Sequence, residues 1–231
     1  IATVCSRFIT FLFSLYILIF REKVVSLKAI EFSELLRSWK DILYIGLPNA
    51  VSKMIMPIGI GIITGLIATF GTGAVAGFGI ASRIEYFSLI LISSLSSVLP
   101  VFVGQNYGAG KINRILQALK ASEKFSFING LVICCLLFLG ARPLAHLFTQ
   151  DQAVIDTLVV YLRIVPLGYA FQGVILIITS GLNALRKPMA AALINIGQML
   201  LIYIPLAKFT SSFWGIKGIF VSLVASYMIM S

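Results

Sequence analysis

Charge is scarce in this sequence. Only 11% of its 231 residues are Asp, Glu, Lys or Arg, against roughly 25% in a soluble domain, so the chain lacks the polar surface that would keep it dissolved. Acids are scarcer still, eight against eighteen Lys and Arg. With one histidine, His146, and those acids widely spread, no Ser-His-Asp, Cys-His or paired-carboxylate set can be assembled, and the sequence does not read as an enzyme. The three cysteines, Cys5, Cys134 and Cys135, fall in apolar stretches without metal-ligand spacing. They are expected to be reduced and buried, with neither a metal nor a cofactor bound. No initiator Met and no basic leader precede the first apolar run, and the last run continues to Ser231, so the chain is expected to be a piece of a longer protein and not to open on a signal peptide.

What is abundant is apolar length. Hydrophobic residues make up 59% of the chain, and they gather in stretches of about 20 residues, each long enough at 1.5 Å per residue to cross a hydrocarbon core of about 30 Å. Spans are expected at roughly 1–20, 42–69, 74–103, 125–141, 157–182, 189–207 and 214 to the end. Backbone hydrogen bonds in lipid must be satisfied within each span, which requires an all-α bundle, and the period-2 segments of a membrane β-barrel are missing. Gly77, Gly79 and Ala81 are small residues that let helices approach closely. Residues 21–41 differ in kind. They mix charges, and Phe32, Leu35, Leu36 and Trp39 recur at helical spacing, which predicts an amphipathic helix lying at the membrane surface as a linker.

The net charge of +10 would raise nucleic acid as a partner in a soluble protein. Here the cations sit in short connections between spans, and no basic helix interleaved with aromatics is present, so nucleic acid is not expected. Alternating the connections across the membrane places Arg21, Lys23, Lys28, Arg37, Lys40, Lys111, Arg114, Lys120, Lys124, Arg186 and Lys187 on one side and only Arg142, Lys208 and Lys217 on the other. Eleven against three identifies the first side as cytoplasmic.

The most specific motif is PVFVGQNYGAGK from Pro100 to Lys111, followed by Arg114. Glycines at 104, 108 and 110 permit a sharp helix end, and the amides of Gln105 and Asn106 can bond backbone groups freed there. This stretch, through Pro100, Gly104, Gln105, Asn106, Gly108, Ala109, Gly110 and Arg114, resembles the signature that closes the second helix of each half in MATE (multidrug and toxic compound extrusion) transporters. Gly46, Leu47 and Pro48 resemble the opening of the first helix of that family's C-terminal lobe. Arg83 and Ile84 fall at its Arg-Ile position, and Gly181 to Ala184 with Lys187 and Pro188 resemble the turn between its tenth and eleventh helices. The resemblance implies that residues 1–20 end the last helix of an N-terminal lobe, 21–41 form a cytoplasmic linker, and 42–231 form the C-terminal six-helix lobe. The other lobe would then be a partner from the same chain, in a multi-pass protein of a bacterial plasma membrane.

Ionisable residues inside apolar spans are functional candidates because burying them is costly. These are Lys53, Arg83, Glu85 and Arg163, with Arg7 near the start. Glu85 is the sole acid deep in a span, about 18 Å from Gly73. Arg83 is two residues away and does not face it, so Glu85 is expected to pair with Lys53 or Arg163. Pro48 and Pro57 remove backbone donors within one span, and broken helices often border transporter cavities. Asn49, Ser52, Lys53 and Met56 could then line a cavity for bulky amphipathic cations. Several members of the resembled family carry a coupling acid where this sequence has Met56, so coupling would fall to Glu85 or to an acid outside this sequence. The implied function is efflux of drugs or organic cations by antiport with H⁺ or Na⁺. The alternative is flipping of a lipid-linked oligosaccharide, whose anionic headgroup would suit the surplus of Lys53, Arg83 and Arg163.

Overall fold

A computed structural model describes residues 2–21 and 32–231; within these, the side chains at 2, 3, 32, 33, 41, 45, 48, 49, 52 and 53 are also outside the description. The chain divides into two compact units, 1–43 and 44–231. The first unit holds α1 (Ala2–Tyr16), which passes into a π-turn at Ile17–Arg21, and the opening turns of α2 (Phe32–Ala68). Its apolar side chains, among them Phe8, Phe11, Phe13 and Tyr16, are exposed. Trp39 is exposed too, on a segment expected to be a separate surface helix that instead continues without a break into α2.

The second unit is built of helices joined by short turns, with no strand among its described residues. The rest of α2 is followed by α3 (Thr72–Ser88) and α4 (Ile90–Gly108), which meet at a bend on Leu89. Next come α5 (Ile112–Phe148) and α6 (Gln152–Ile164). A 3₁₀ turn at Val165–Gly168 joins α6 to α7 (Tyr169–Ala184). The chain closes with α8 (Pro188–Ile196), a π-turn at Gly197–Tyr203, and α9 (Ile204–Met230). The chain is a multi-pass membrane protein of the helical-bundle class. Five described runs are long and apolar enough to cross a bilayer, Val4–Arg21, Ile90–Gly108, Ile112–Phe148, Gln152–Ala184 and Pro188–Met230, with a shorter apolar stretch at Met54–Ala68.

Two of these runs differ from the sequence expectation. The polar stretch 104–124, expected as a loop, is mostly the first turns of α5, whose 37 residues extend about 55 Å, far beyond the hydrocarbon core. Lys, Arg, Gln, Glu and Ala are good helix formers, so the helix outlasts its apolar part. The run Pro188–Met230 is a hairpin. Gly215 adopts φ 57 and ψ −140 inside α9, a conformation closed to residues with a Cβ. The chain folds back there, so that Thr210 Oγ1 lies 2.7 Å from Ser222 Oγ and Gln198 Nε2 donates to Ser226 Oγ at 2.7 Å. These are the sixth and last expected spans.

Close packing explains where small residues fall. A Cβ on Gly77 of α3 would stand 2.8 Å from Thr157 Cβ and 2.9 Å from the Val154 carbonyl of α6. One on Gly130 of α5 would stand 2.6 Å from the Ala170 nitrogen of α7. Ala81 is fully buried, while Gly79 faces open space. Between α4 and α7 the contact is polar. Pro100 has no N–H, which leaves the Ser96 carbonyl without its helical partner; Ser180 Oγ of α7 donates to it, and Ser96 Oγ donates in return to the Leu176 carbonyl at 3.1 Å. Cys134 is buried, but Cys5 and Cys135 are exposed, since neighbours on a helix point about 100° apart.

The signature motif forms the end of α4. Gly110 takes φ +69, its N–H bonds the Tyr107 carbonyl at 3.0 Å, and the Lys111 N–H bonds the Asn106 carbonyl at 2.9 Å. This is a Schellman cap. Asn106 is buried, with Nδ2 donating to the Phe102 carbonyl at 2.9 Å; Gln105 and Arg114 are exposed, and Gly104 and Gly108 border open space. Only Gly110 has a conformation that demands glycine. The end of α7 repeats the cap with Arg186 at φ 58 in place of glycine, its N–H on the Asn183 carbonyl at 3.2 Å and that of Lys187 on the Leu182 carbonyl at 2.9 Å.

Candidate functional site

The second unit has three departures from regular helix: the bend at Leu89 and the π-turn at Gly197–Tyr203, which both reach one cavity, and the 3₁₀ turn at Val165–Gly168, which lies between its lining residues Tyr161 and Gln172 in sequence. Such interruptions free or redirect backbone groups and recur at functional sites. The cavity holds about 370 Å³, within the size range of small-molecule sites. Met56 and Ile60 of α2 line it, with Phe78, Ser82, Glu85 and Tyr86 of α3, Tyr161 of α6 and Gln172 of α7. The π-turn adds Gln198, Met199 and Tyr203, and α9 adds Leu223 and Tyr227.

Among the described residues Glu85 is the one charged side chain on this lining. It is placed on the last turn of α3, next to the bend, because the face that presents Gly77 and Ala81 to the rest of the bundle also turns residue 85 inward. Its carboxylate Oε2 accepts a hydrogen bond from the Tyr161 hydroxyl, and Gln172 interacts with the same carboxylate. Gln172 Oε1 and the Tyr169 hydroxyl are buried without a partner. Tyr161 is itself fixed by an aromatic cluster, packing edge-on against Phe220 at 4.9 Å and Phe78 at 6.0 Å between ring centroids. Gln198 is oriented by its bond to Ser226, whose hydroxyl also donates to the Leu223 carbonyl at 2.7 Å. The chamber is thus an apolar and aromatic box with a single carboxylate and several oriented amide and hydroxyl groups. It is fitted to hold a proton or another cation on Glu85 and aromatic solutes against the tyrosines.

Of the residues singled out from sequence, the structure brings Glu85 and Met56 to this cavity. Arg83 and Arg163 are exposed and are not on its lining. Arg163 does not pair with Glu85: its guanidinium stands 5.6 Å from the centre of the Phe138 ring. Helix phase is the reason, since Arg83 is two residues from Glu85 and Arg163 two from Tyr161, so neither can share their face. The side chains of Pro48, Asn49, Ser52 and Lys53 lie outside the described residues; Pro57 is exposed, and α2 is helical through it. Tyr161, Gln172, Gln198, Tyr203 and Tyr227 were not anticipated. For Gln172 and Gln198 the signal was present, as uncharged amides within apolar runs.

The MatE family profile matches residues 48–209. Over its whole length the chain is 33% identical to 51% of the FAD transporter of Shewanella oneidensis, and 22% identical to 50% of the probable multidrug resistance protein NorM of Thermotoga maritima. The chain therefore spans about half the length of the curated relatives it matches. Among solved structures, the bent form of the Vibrio cholerae MATE transporter VcmN superposes with a TM-score of 0.81 at 29% identity, covering 88% of this chain and 47% of that one. An outward-facing multidrug resistance MATE transporter superposes at 0.89 and 23% identity, covering 99% and 52%, a likeness of fold.

Proposed function

The chain belongs to the MatE family, and from that premise we propose that residues 42–231 are one six-helix lobe of a two-lobe secondary exporter, with 21–41 as the cytoplasmic linker and 1–20 as the end of the preceding lobe. The two lobes together exchange an organic solute, an organic cation in the first instance, for H⁺ or Na⁺ in a bacterial plasma membrane, and no cofactor enters the scheme. The observation that carries this reading is Glu85, the only charge on the cavity lining among the described residues, bonded to the Tyr161 hydroxyl. A carboxylate held in a largely apolar cavity changes its hold on a cation when its surroundings change, which is the requirement for coupling. The test is efflux of an aromatic cationic dye from vesicles bearing the two-lobe transporter under an imposed proton or sodium gradient. Glu85→Gln is expected to abolish gradient-driven efflux at unchanged expression; efflux equal to the parent's rejects the coupling role.

A second cargo is supported by the relationship to the Shewanella FAD transporter. Tyr86, exposed on the cavity lining, offers a ring face on which a flat flavin ring stacks. Measuring FAD and cationic dye in the same vesicles separates the two cargoes. Of the three cations that would suit the lipid-linked oligosaccharide alternative, Arg83 and Arg163 stand away from the cavity and the Lys53 side chain lies outside the described residues.

A further inference from the structure

The outward face shared by α5 and α6 carries cations that no acid among the described residues neutralises. Arg163 is exposed, with its guanidinium against Phe138 of α5, a ring 49% exposed on the same surface. Arg142 is exposed four residues beyond Phe138, on the same face of α5. Helical side chains lean toward the N-terminus of their helix, which tips Arg142 back toward Phe138 and Arg163. His146 extends the row by one more turn and is exposed. The acid of this stripe on α6, Asp156, accepts a bond from Gln152 at 2.9 Å. Among the described residues neither arginine has an acidic partner.

Their depth is informative. The charge-free apolar run of α5 over 125–141 is first interrupted at Arg142, with Leu147 and Phe148 exposed beyond it, so Arg142 stands near the edge of the hydrocarbon, and Phe138 lies one turn, about 6 Å, deeper. A lone cation at that depth costs free energy unless it reaches an anion at the border. Below the arginines the surface is apolar, with Leu139 80% and Leu167 53% exposed. An arginine pair at the border above an apolar floor matches the two ends of a lipid. The guanidinium fork bonds a phosphate through two oxygens. A partner helix would have to bring its own carboxylates into hydrocarbon, whereas a lipid phosphate already resides at the edge.

We propose that the α5–α6 face binds an anionic phospholipid in the leaflet on the side of the α5–α6 connection, with Arg142 and Arg163 holding its phosphate, Phe138 positioning Arg163, and Leu139 and Leu167 bordering its acyl chains. Cys135, exposed on the same face three residues before Phe138, supplies the probe. In a Cys5→Ser chain, a fluorophore on Cys135 is reconstituted into mixed phosphatidylglycerol and phosphatidylcholine vesicles in which one or the other has brominated chains. Brominated phosphatidylglycerol is expected to quench beyond its bulk share, corresponding to a preference of about fivefold or more per arginine. R142Q/R163Q is expected to bring the preference to unity with the helical circular dichroism unchanged, and Arg163→Lys, which keeps the charge without the fork, to retain part of it. Equal quenching by the two lipids in the parent, or a preference that survives R142Q/R163Q, overturns the proposal. Loss of the preference on adding millimolar inorganic phosphate also overturns it, by identifying a free-phosphate site. A label shielded from both brominated lipids overturns it as well, by identifying a protein cover.

Discussion

At the scale of single residues, the proposed coupling turns on Glu85 and the hydroxyl that meets it. Tyr161→Phe removes the one phenolic donor to the carboxylate and keeps the ring in its aromatic cluster. It is expected to cut gradient-driven efflux about tenfold while leaving the fold intact, since a bond to a charged group is worth roughly 1.5–3 kcal/mol; transport rates in vesicles against a melting curve in detergent separate the two effects. That Glu85 turns into the bundle was legible in the sequence, because it is the only acid deep in an apolar span. Its partner was not. Charge counting pointed to a cation, but Tyr161 lies 76 residues away, and a tyrosine in an apolar run gives no sign of which helix it faces. The phase of α6 decides the matter: with Tyr161 turned inward, Arg163 two residues on must turn outward.

At the scale of the element, the two caps and the serine pair give measurable expectations. Gly110 at φ +69 makes Gly110→Ala destabilising by about 1 kcal/mol, and Arg186 at φ 58 makes Arg186→Gly stabilising by a similar amount, because an L side chain in the left-handed region costs roughly 1–2 kcal/mol. Unfolding midpoints in mixed detergent micelles read both signs. Ser180→Ala strands the Ser96 carbonyl that Pro100 has already deprived of its donor, with an expected loss of about 1–2 kcal/mol by the same measurement; Pro100→Ala in that background restores a helical donor and recovers part of it. The number and order of the spans were legible from apolar length. The end of α4 was legible from its glycines. The interruptions at Leu89, Val165–Gly168 and Gly197–Tyr203 were not, since π and 3₁₀ turns are set by tertiary packing and only Pro166 marks any of them locally. The early start of α5 was missed because hydropathy measures what lies in lipid, not what is helical.

At the scale of the whole molecule, the charge distribution predicts the orientation. Single cysteines replacing Lys111 and Lys187 are expected to react with an impermeant thiol reagent only in inside-out vesicles, and one replacing Lys208 only in right-side-out cells. The reverse pattern removes the topology. The two serines that join α4 to α7 also bear on how such a molecule is made. Their partners are about 80 residues apart in sequence, so while α4 alone has been synthesised its Ser96 carbonyl has no donor, and hydrocarbon offers none. Release of α4 from the insertion machinery into bulk lipid is therefore unfavourable until α7 emerges. The ribosome must deliver α5, α6 and α7 while α4 waits, and a nascent chain arrested before Ser180 is expected to remain crosslinkable to the translocon where one arrested beyond it is not.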